Sequence, residues 1–306
     1  MTKNKSKTDK LYEQLIERFV KWAETCSDIR GAVIIGSRAR VDQPADEWAD
    51  LDIIIITTDP ERYVSTSDWI ENVGNPLLTF VEPTAGGDNM ERRVLFDDML
   101  DVDFAIIPKR KSQQLLQHGI PQEIAAQILN VFGRGMRVIL DKDGMAAKLR
   151  KLISSIETTP PHPPTKHEFL EVVNDFLYHA VFTAKHLRRG ELWWTVTCLN
   201  CYMQRLLLRM MEWHALATHG WNYDTWFRGR FLEEWAHPQA LKELRGAFAQ
   251  YDEDDTKAAL LATMNLFRWI AAETAEKLGY PYPAKADEHV TKWIRTCLSQ
   301  KRNVKL

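Results

Sequence analysis

Asp50-Leu51-Asp52 places two carboxylates two positions apart at the start of the apolar run Leu51–Ile56. Residues two apart on a strand point to the same face, so these carboxylates repel unless positive charge lies between them. A magnesium ion supplies that charge and takes oxygen ligands. Upstream, Gly36-Ser37 closes a shorter apolar run, Ala32–Ile35. A glycine lets backbone approach a phosphate closely, and a serine hydroxyl can donate to one. Asp101-Val102-Asp103 opens a third run, Val102–Ile107, where Asp103 precedes Phe-Ala-Ile-Ile as Asp52 precedes Ile-Ile-Ile-Ile. If these runs are neighbouring strands, Asp103 joins Asp50 and Asp52. Three acids suffice for one or two magnesium ions, and one of them can also take a proton from an attacking hydroxyl, a role open to Asp103 or to an acid of the helical domain. The expected site is thus Asp50, Asp52 and Asp103 as metal ligands and catalytic acids, facing a phosphate cradle at Gly36 and Ser37. Arg38 beside the cradle is expected to neutralise phosphate, and Arg40 to be a surface residue. Arg92 and Arg93 could approach the same place. The plainer reading, in which Asp50 and Asp52 only solubilise a strand end, accounts for the pair but not for the whole set.

The elements that must position these residues follow from periodicity. Leu11, Leu15, Ile16, Phe19, Val20 and Trp22 recur at helical spacing over residues 8–26. Ala32–Ile35 and Leu51–Ile56 read as buried strands, and Pro60 opens a helix expected to reach about Val73. Leu77–Val81, Val94–Phe96 and Val102–Ile107 read as further strands, with Gly86-Gly87-Asp88 as a loop. Met136–Leu140 is expected to be the last, edge strand. Thr158-Thr-Pro-Pro-His-Pro-Pro164 then carries four prolines that neither a helix nor a central strand can continue. After it the pattern is helical. Thr165-Lys-His-Glu168 is a capping box opening a helix to about Arg189, which Gly190 ends. Glu191–Ala217, Gln239–Tyr251, Asp255–Leu278 and Asp287–Leu298 read as further helices, with Tyr280-Pro-Tyr-Pro283 as an extended break. The expected domains are residues 1–157, a proline-rich linker over 158–164, and residues 165–306.

Bulk properties narrow the function classes. The chain has 306 residues, 45% hydrophobic and 27% charged, with net charge −2, the profile of a soluble globular protein. There is no basic excess to hold a polyanion, so nucleic acid is not expected as a partner. The polar N-terminus is no secretory signal and no run approaches a membrane span, so a cytoplasmic protein with no membrane partner is expected, and a monomer. Cys198-Leu-Asn-Cys201 is a single CxxC inside a helical pattern and reads as ordinary thiols.

Gly-Ser, twelve residues, Asp-Leu-Asp, and a later strand aspartate resemble the signature of the nucleotidyltransferase superfamily. The likeness extends along the chain. Gly36-Ser37-Arg38, Asp50-Leu-Asp52, Ser67-Asp-Trp69-Ile, Asp103 with Ile107-Pro108, Leu140-Asp-Lys-Asp143, Asn174-Asp175-Phe176, Leu199-Asn200, Leu208-Arg209-Met210 and Tyr280-Pro-Tyr-Pro283 are similar to the aminoglycoside 6-adenylyltransferases, also called streptomycin adenylyltransferases. The resemblance implies an α+β fold: an N-terminal nucleotidyltransferase-type mixed sheet flanked by helices, then a C-terminal α-helical bundle domain. It implies transfer of AMP from ATP to an aminoglycoside hydroxyl with one or two magnesium ions, which inactivates the drug. One departure is that the family tends to be richer in tryptophan after the Asn-acid-Phe element, where this chain has Leu177-Tyr178.

An aminoglycoside is a polycation, so its site needs carboxylates and flat surfaces for sugar rings. The helix from Thr165 offers Glu168, Glu171 and Asp175 at spacings of three and four, continued by Tyr178, Phe182 and Lys185. With the resemblance, Glu171, Asp175 and Tyr178 are expected to contact the acceptor and Lys185 the triphosphate; without it, a solvated acidic face explains them equally well. Trp193-Trp194 reads as core or as a sugar platform, and Tyr251-Asp-Glu-Asp-Asp255 as a helix cap or a cation-attracting lip. The residues alone also leave open another small-molecule or protein acceptor, and a non-catalytic binding module that keeps the fold.

Overall fold

Strand Leu51–Thr57 carries four consecutive isoleucines and is buried along nearly its whole length, as a strand covered on both faces requires. The structure, a computed structural model, describes residues 6–40, 42–84, 87, 89–156 and 162–300. Residues 158–161 of the proline-rich segment, and Gly86 and Asp88 of the expected loop, lie outside them. The chain divides into two compact units, Met1–Thr158 and Thr159–Leu306.

The first unit runs α1 (Lys7–Thr25), β1 (Ile29–Ile35), β2 (Leu51–Thr57), α2 (Pro60–Ser65), β3 (Pro76–Pro83), β4 (Met90–Phe96), β5 (Leu100–Pro108), α3 (Lys109–His118), α4 (Gln122–Phe132), β6 (Arg137–Asp141) and α5 (Met145–Ser154). The six strands make one sheet in the order β3-β4-β5-β2-β1-β6. β2 and β5 are parallel and the other pairs antiparallel, giving the expected mixed sheet with β6 at its edge. The helix expected from Pro60 to Val73 is shorter. α2 ends at Ser65, where Thr66 turns to extended backbone, and Asp68–Asn72 form a separate 3-10 turn. That break lets Trp69 enter the core, where it stacks on Trp22 at 5.3 Å and meets Phe104 edge-on at 5.1 Å. One face of the sheet packs Leu15, Phe19, Trp69, Val102 and Phe104 under α1 and α2. The other face packs Val33, Ile54 and Ile56 against Met145 and Ala146 of α5.

The second unit is helical: α6 (Lys166–Arg189), α7 (Leu192–Thr197), α8 (Gln204–His219), α9 (Leu232–Trp235), α10 (Pro238–Leu244), α11 (Glu253–Leu278) and α12 (Ala284–Ser299). The capping box is present: Glu168 N–H donates to Thr165 Oγ1 at 3.2 Å, and Thr165 N–H donates to Glu168 Oε2 at 2.7 Å. Gly190 closes α6 in the left-handed region at φ 83°. The helix expected over Glu191–Ala217 is interrupted by a π-helical segment, Cys198–Met203, between α7 and α8. The helix expected over Gln239–Tyr251 stops at Leu244. The core is built on α6, α8 and α11, with Phe176 and Phe267 stacked at 3.7 Å. Among the described residues no helix is long and apolar enough to cross a membrane.

Candidate active site

Because β2 and β5 run parallel in register, Asp52 stands directly opposite Asp103. Asp50, just before β2, shares their face. One oxygen from each of Asp50, Asp52 and Asp103 lies within 4.8 Å of the other two. The donor set is all carboxylate oxygen, the chemistry that suits magnesium. Burial pushes the Asp103 carboxyl up to about 6, with Glu91, Asp50 and Asp101 adding to the effect and Arg93 opposing it. Three acids held this close form a candidate site for a divalent cation.

The cradle is set by β1. Ile35 pairs with Asp52, and the chain then turns through Gly36-Ser37-Arg38, a single 3-10 turn. Gly36 sits at φ +69°, and a Cβ there would fall 2.1 Å from Asp52 Oδ2. Only glycine therefore lets the turn and the carboxylate share this space. Ser37 Oγ is buried, and among the described residues it has no hydrogen-bond partner. A buried hydroxyl without a partner is costly, and here it lies one residue from the glycine that touches Asp52. Both features fit a ligand of phosphate character beside a dication.

Arg38 has another occupation. Its Nε donates to Asp50 O at 3.0 Å and one terminal nitrogen to Ala49 O at 2.7 Å. The other meets Asp9 Oδ1 at 3.2 Å, and the guanidinium lies 3.6 Å from the centre of the Tyr12 ring. Tyr12 in turn donates to Asp101 Oδ1 at 2.9 Å. The geometry makes Arg38 a brace that fixes the backbone delivering Asp50, and ties it to α1.

Arg92 and Arg93 part ways because side chains alternate on β4. Arg92 is buried, donating to Tyr63 O at 3.0 Å and to Thr79 Oγ1 at 3.2 Å, with a further bond to Val64 O. Arg93 lies on the carboxylate face, opposite Asp103 in the β4–β5 register and 3.3 Å from its Oδ2. It also contacts Glu82 and Glu91. Glu82 and Glu91 were not singled out from the sequence. The strand expected over Val94–Phe96 begins four residues earlier, at Met90, and that extension brings Glu91 and Arg93 into the sheet.

In the second unit Asp175 is held on both sides. Tyr202 OH donates to its Oδ2 at 2.9 Å, and His179 Nδ1 lies 2.7 Å from its Oδ1. The Asp175 bond, helped by burial, holds the Tyr202 phenol above its ordinary range, so it remains a donor. Glu168 is committed to the cap, which removes it from the acidic stripe, while Glu171 and Tyr178 are exposed. Tyr178 is 67% exposed and meets the His179 ring edge-on, leaving a face open to a flat partner. Lys185 turns toward α12, its Nζ 5.8 Å from the centre of the Trp293 ring. Trp193 and Trp194 are exposed rather than core, and Trp193 meets Tyr251 edge-on at 6.3 Å. His179 was legible as the i+4 neighbour of Asp175. Tyr202 was not, because the π-helical segment carries it there.

The sequence model of the family described as streptomycin adenylyltransferase matches residues 10–297. An aminoglycoside 6-adenylyltransferase of Bacillus subtilis (strain 168) is 24% identical over 293 residues, covering 92% of this chain and 95% of its own. A Campylobacter jejuni protein of the same name is 21% identical, covering 92% of this chain and 94% of its own. Among solved structures, an aminoglycoside 6-adenyltransferase from Bacillus subtilis covers 94% of this chain and 99% of its own at 22% identity, with a TM-score of 0.44.

Proposed function

Since this chain belongs to the streptomycin adenylyltransferase family of enzymes, we propose that it transfers AMP from ATP to a hydroxyl of a streptomycin-like aminoglycoside, the 6-hydroxyl by family likeness. Converting that hydroxyl to an AMP phosphodiester would inactivate the drug, and the biological role we infer is antibiotic resistance. The observation that carries the reading is the meeting of Asp50, Asp52 and Asp103 in one cluster, beside a buried serine hydroxyl that has no partner among the described residues.

Asp50, Asp52 and Asp103 are the residues that would hold magnesium, whose chemistry when bound is to neutralise triphosphate charge. Gly36 and Ser37 receive phosphate. Asp103 is the group placed to accept the proton of the acceptor hydroxyl as that oxygen attacks the α-phosphorus and pyrophosphate leaves. Arg38 serves by holding the Asp50 backbone. In the second unit Glu171 and Asp175 attract the cationic groups of the acceptor and Tyr178 offers a ring face. The enzyme works as a cytoplasmic monomer without nucleic acid.

Incubation with ATP, magnesium and streptomycin, followed by mass spectrometry, tests the proposal. An AMP adduct on the drug, absent in an Asp50→Asn, Asp52→Asn variant, is expected. Labelling of a protein and of no drug in an aminoglycoside panel would replace it with a protein-directed adenylyltransferase.

A further inference from the structure

Among the described residues Arg93 is the one cation in contact with Asp103, and its other contacts are shorter. Its terminal nitrogen is 3.3 Å from Asp103 Oδ2 but 2.9 Å from Glu91 Oε1, and its Nε is 2.6 Å from Glu82 Oε1. The register of β4 on β5 sets Arg93 against Asp103, and that of β3 on β4 sets Glu82 against Glu91. One guanidinium therefore spans three carboxylates along the open face of the sheet, and only one of the three belongs to the Asp50–Asp52–Asp103 cluster. Glu91 is 14% and Asp103 17% exposed at the side chain, so both keep much of their field. An arginine that lost Asp103 would still be paired twice.

We propose that Arg93 is a resident counter-cation of the third carboxylate that yields Asp103 to the dication, with Glu82 and Glu91 as the seats that retain it. The inference rests on the reading that the three aspartates hold a divalent metal. Arg93 is a positioning residue in this scheme. It keeps Asp103 oriented and charge-balanced before loading, and it weakens metal binding to the free enzyme, so that loading favours the state in which nucleotide phosphates add their own oxygens. The Glu pair makes the exchange possible: it holds the guanidinium, 43% exposed, beside Asp103 without requiring that contact.

The test is Mn2+ binding to the nucleotide-free full chain, followed by paramagnetic resonance of the unbound ion. Arg93→Met should tighten binding about tenfold, since a unit charge beside a dication is removed. Glu82→Gln, Glu91→Gln should weaken it. Simple electrostatics gives those directions too, so the deciding quantity is the double-mutant cycle. Exchange requires the Glu pair to matter at least threefold more when Arg93 is present than when it is methionine. Equal effects in the two backgrounds, or an Arg93→Met affinity no tighter than wild type, overturn the exchange while leaving the metal site standing. A wild type that binds Mn2+ no better than Asp50→Asn, Asp52→Asn overturns both. Arg93→Gln is carried in parallel, with the thermal transition of each variant, so that a folding defect in one does not stand in for the result.

Discussion

Asp52 and Asp103 face each other across β2 and β5, the parallel pair inside the sheet. Side chains on a strand alternate, so sliding one strand by one residue would send one carboxylate to the opposite face. The apolar residues that prevent the slide are their neighbours: Ile53 opposite Phe104, both fully buried.

The site is held at a cost in stability that Asp103→Asn should release. Asn keeps the shape and removes a buried charge among other acids. The metal-free variant is expected to melt above wild type by a few degrees, while adenylyl transfer falls at least about a hundredfold. Differential scanning fluorimetry in chelator, set beside the mass-spectrometric transfer assay, checks both. A variant that is less stable or fully active would contradict the assignment.

The pH dependence has a definite sign. With burial raising Asp103 to about 6 from an ordinary 3.8, the folded chain binds this proton more tightly than the unfolded chain. The stability it contributes is complete below about pH 4, declines between 4 and 6, and is absent above, by up to roughly 3 kcal/mol. Chemical denaturation of metal-free protein should show a steeper decline in wild type than in Asp103→Asn, where Glu212, raised to about 7 by burial, still contributes its own. Mn2+ affinity runs the other way. A proton competes for the same carboxylate, so affinity should rise about tenfold from pH 5 to pH 7, and a flat titration would exclude Asp103 as a ligand.

Gly36→Ala should damage the site more than the fold. The new Cβ would lie 2.1 Å from Asp52 Oδ2 in a backbone conformation at φ +69°, which L-residues adopt at a cost of about 1–2 kcal/mol. Relief comes by pushing Asp52 away from Asp103. We expect Mn2+ binding to weaken about tenfold or more and the melting transition to drop by several degrees; unchanged metal affinity would mean that the carboxylate has room to turn aside.

Arg38→Lys separates bracing from phosphate contact. Lysine cannot reproduce the forked donation to the carbonyls of Ala49 and Asp50 together with the stacking on Tyr12. The expected loss is about 2 kcal/mol of stability, with kcat falling while KM for ATP changes less than threefold. A rise in KM with stability intact would make Arg38 a phosphate ligand instead.

Tyr202→Phe removes one hydrogen bond to Asp175 and should act on the acceptor alone. KM for streptomycin is expected to rise about fivefold, in line with one bond to a charged group, with KM for ATP unchanged. Asp175→Asn should do more in the same direction. Equal effects on both substrates would argue that the pair is structural.

The arrangement of the sheet was legible because β-branched runs and their flanking aspartates carry it: Leu51–Ile56 and Val102–Ile107 read as strands, and equivalent offsets put Asp52 and Asp103 level. What was not legible came from distance and from interruption. The occupation of Arg38 depends on Asp9 and Tyr12 of α1, which no local pattern joins to it. The Glu82–Arg93–Glu91 contacts depend on where β4 begins, which its mixed charges obscure. Tyr202 depends on a helix that changes its period, and Lys185, placed by spacing on the acidic stripe, is drawn to Trp293 by packing.

That change of period has an evolutionary side. The widened turn at Cys198–Met203 supports two grips: Tyr202 on Asp175, and Asn200 on the backbone of Ala249 through bonds of 2.7 and 2.8 Å. Deleting a single codon there would restore the ordinary helical pitch and swing both side chains by about 100°. The grip on Asp175, which we propose faces the acceptor, would thus be redrawn by a change in chain length alone.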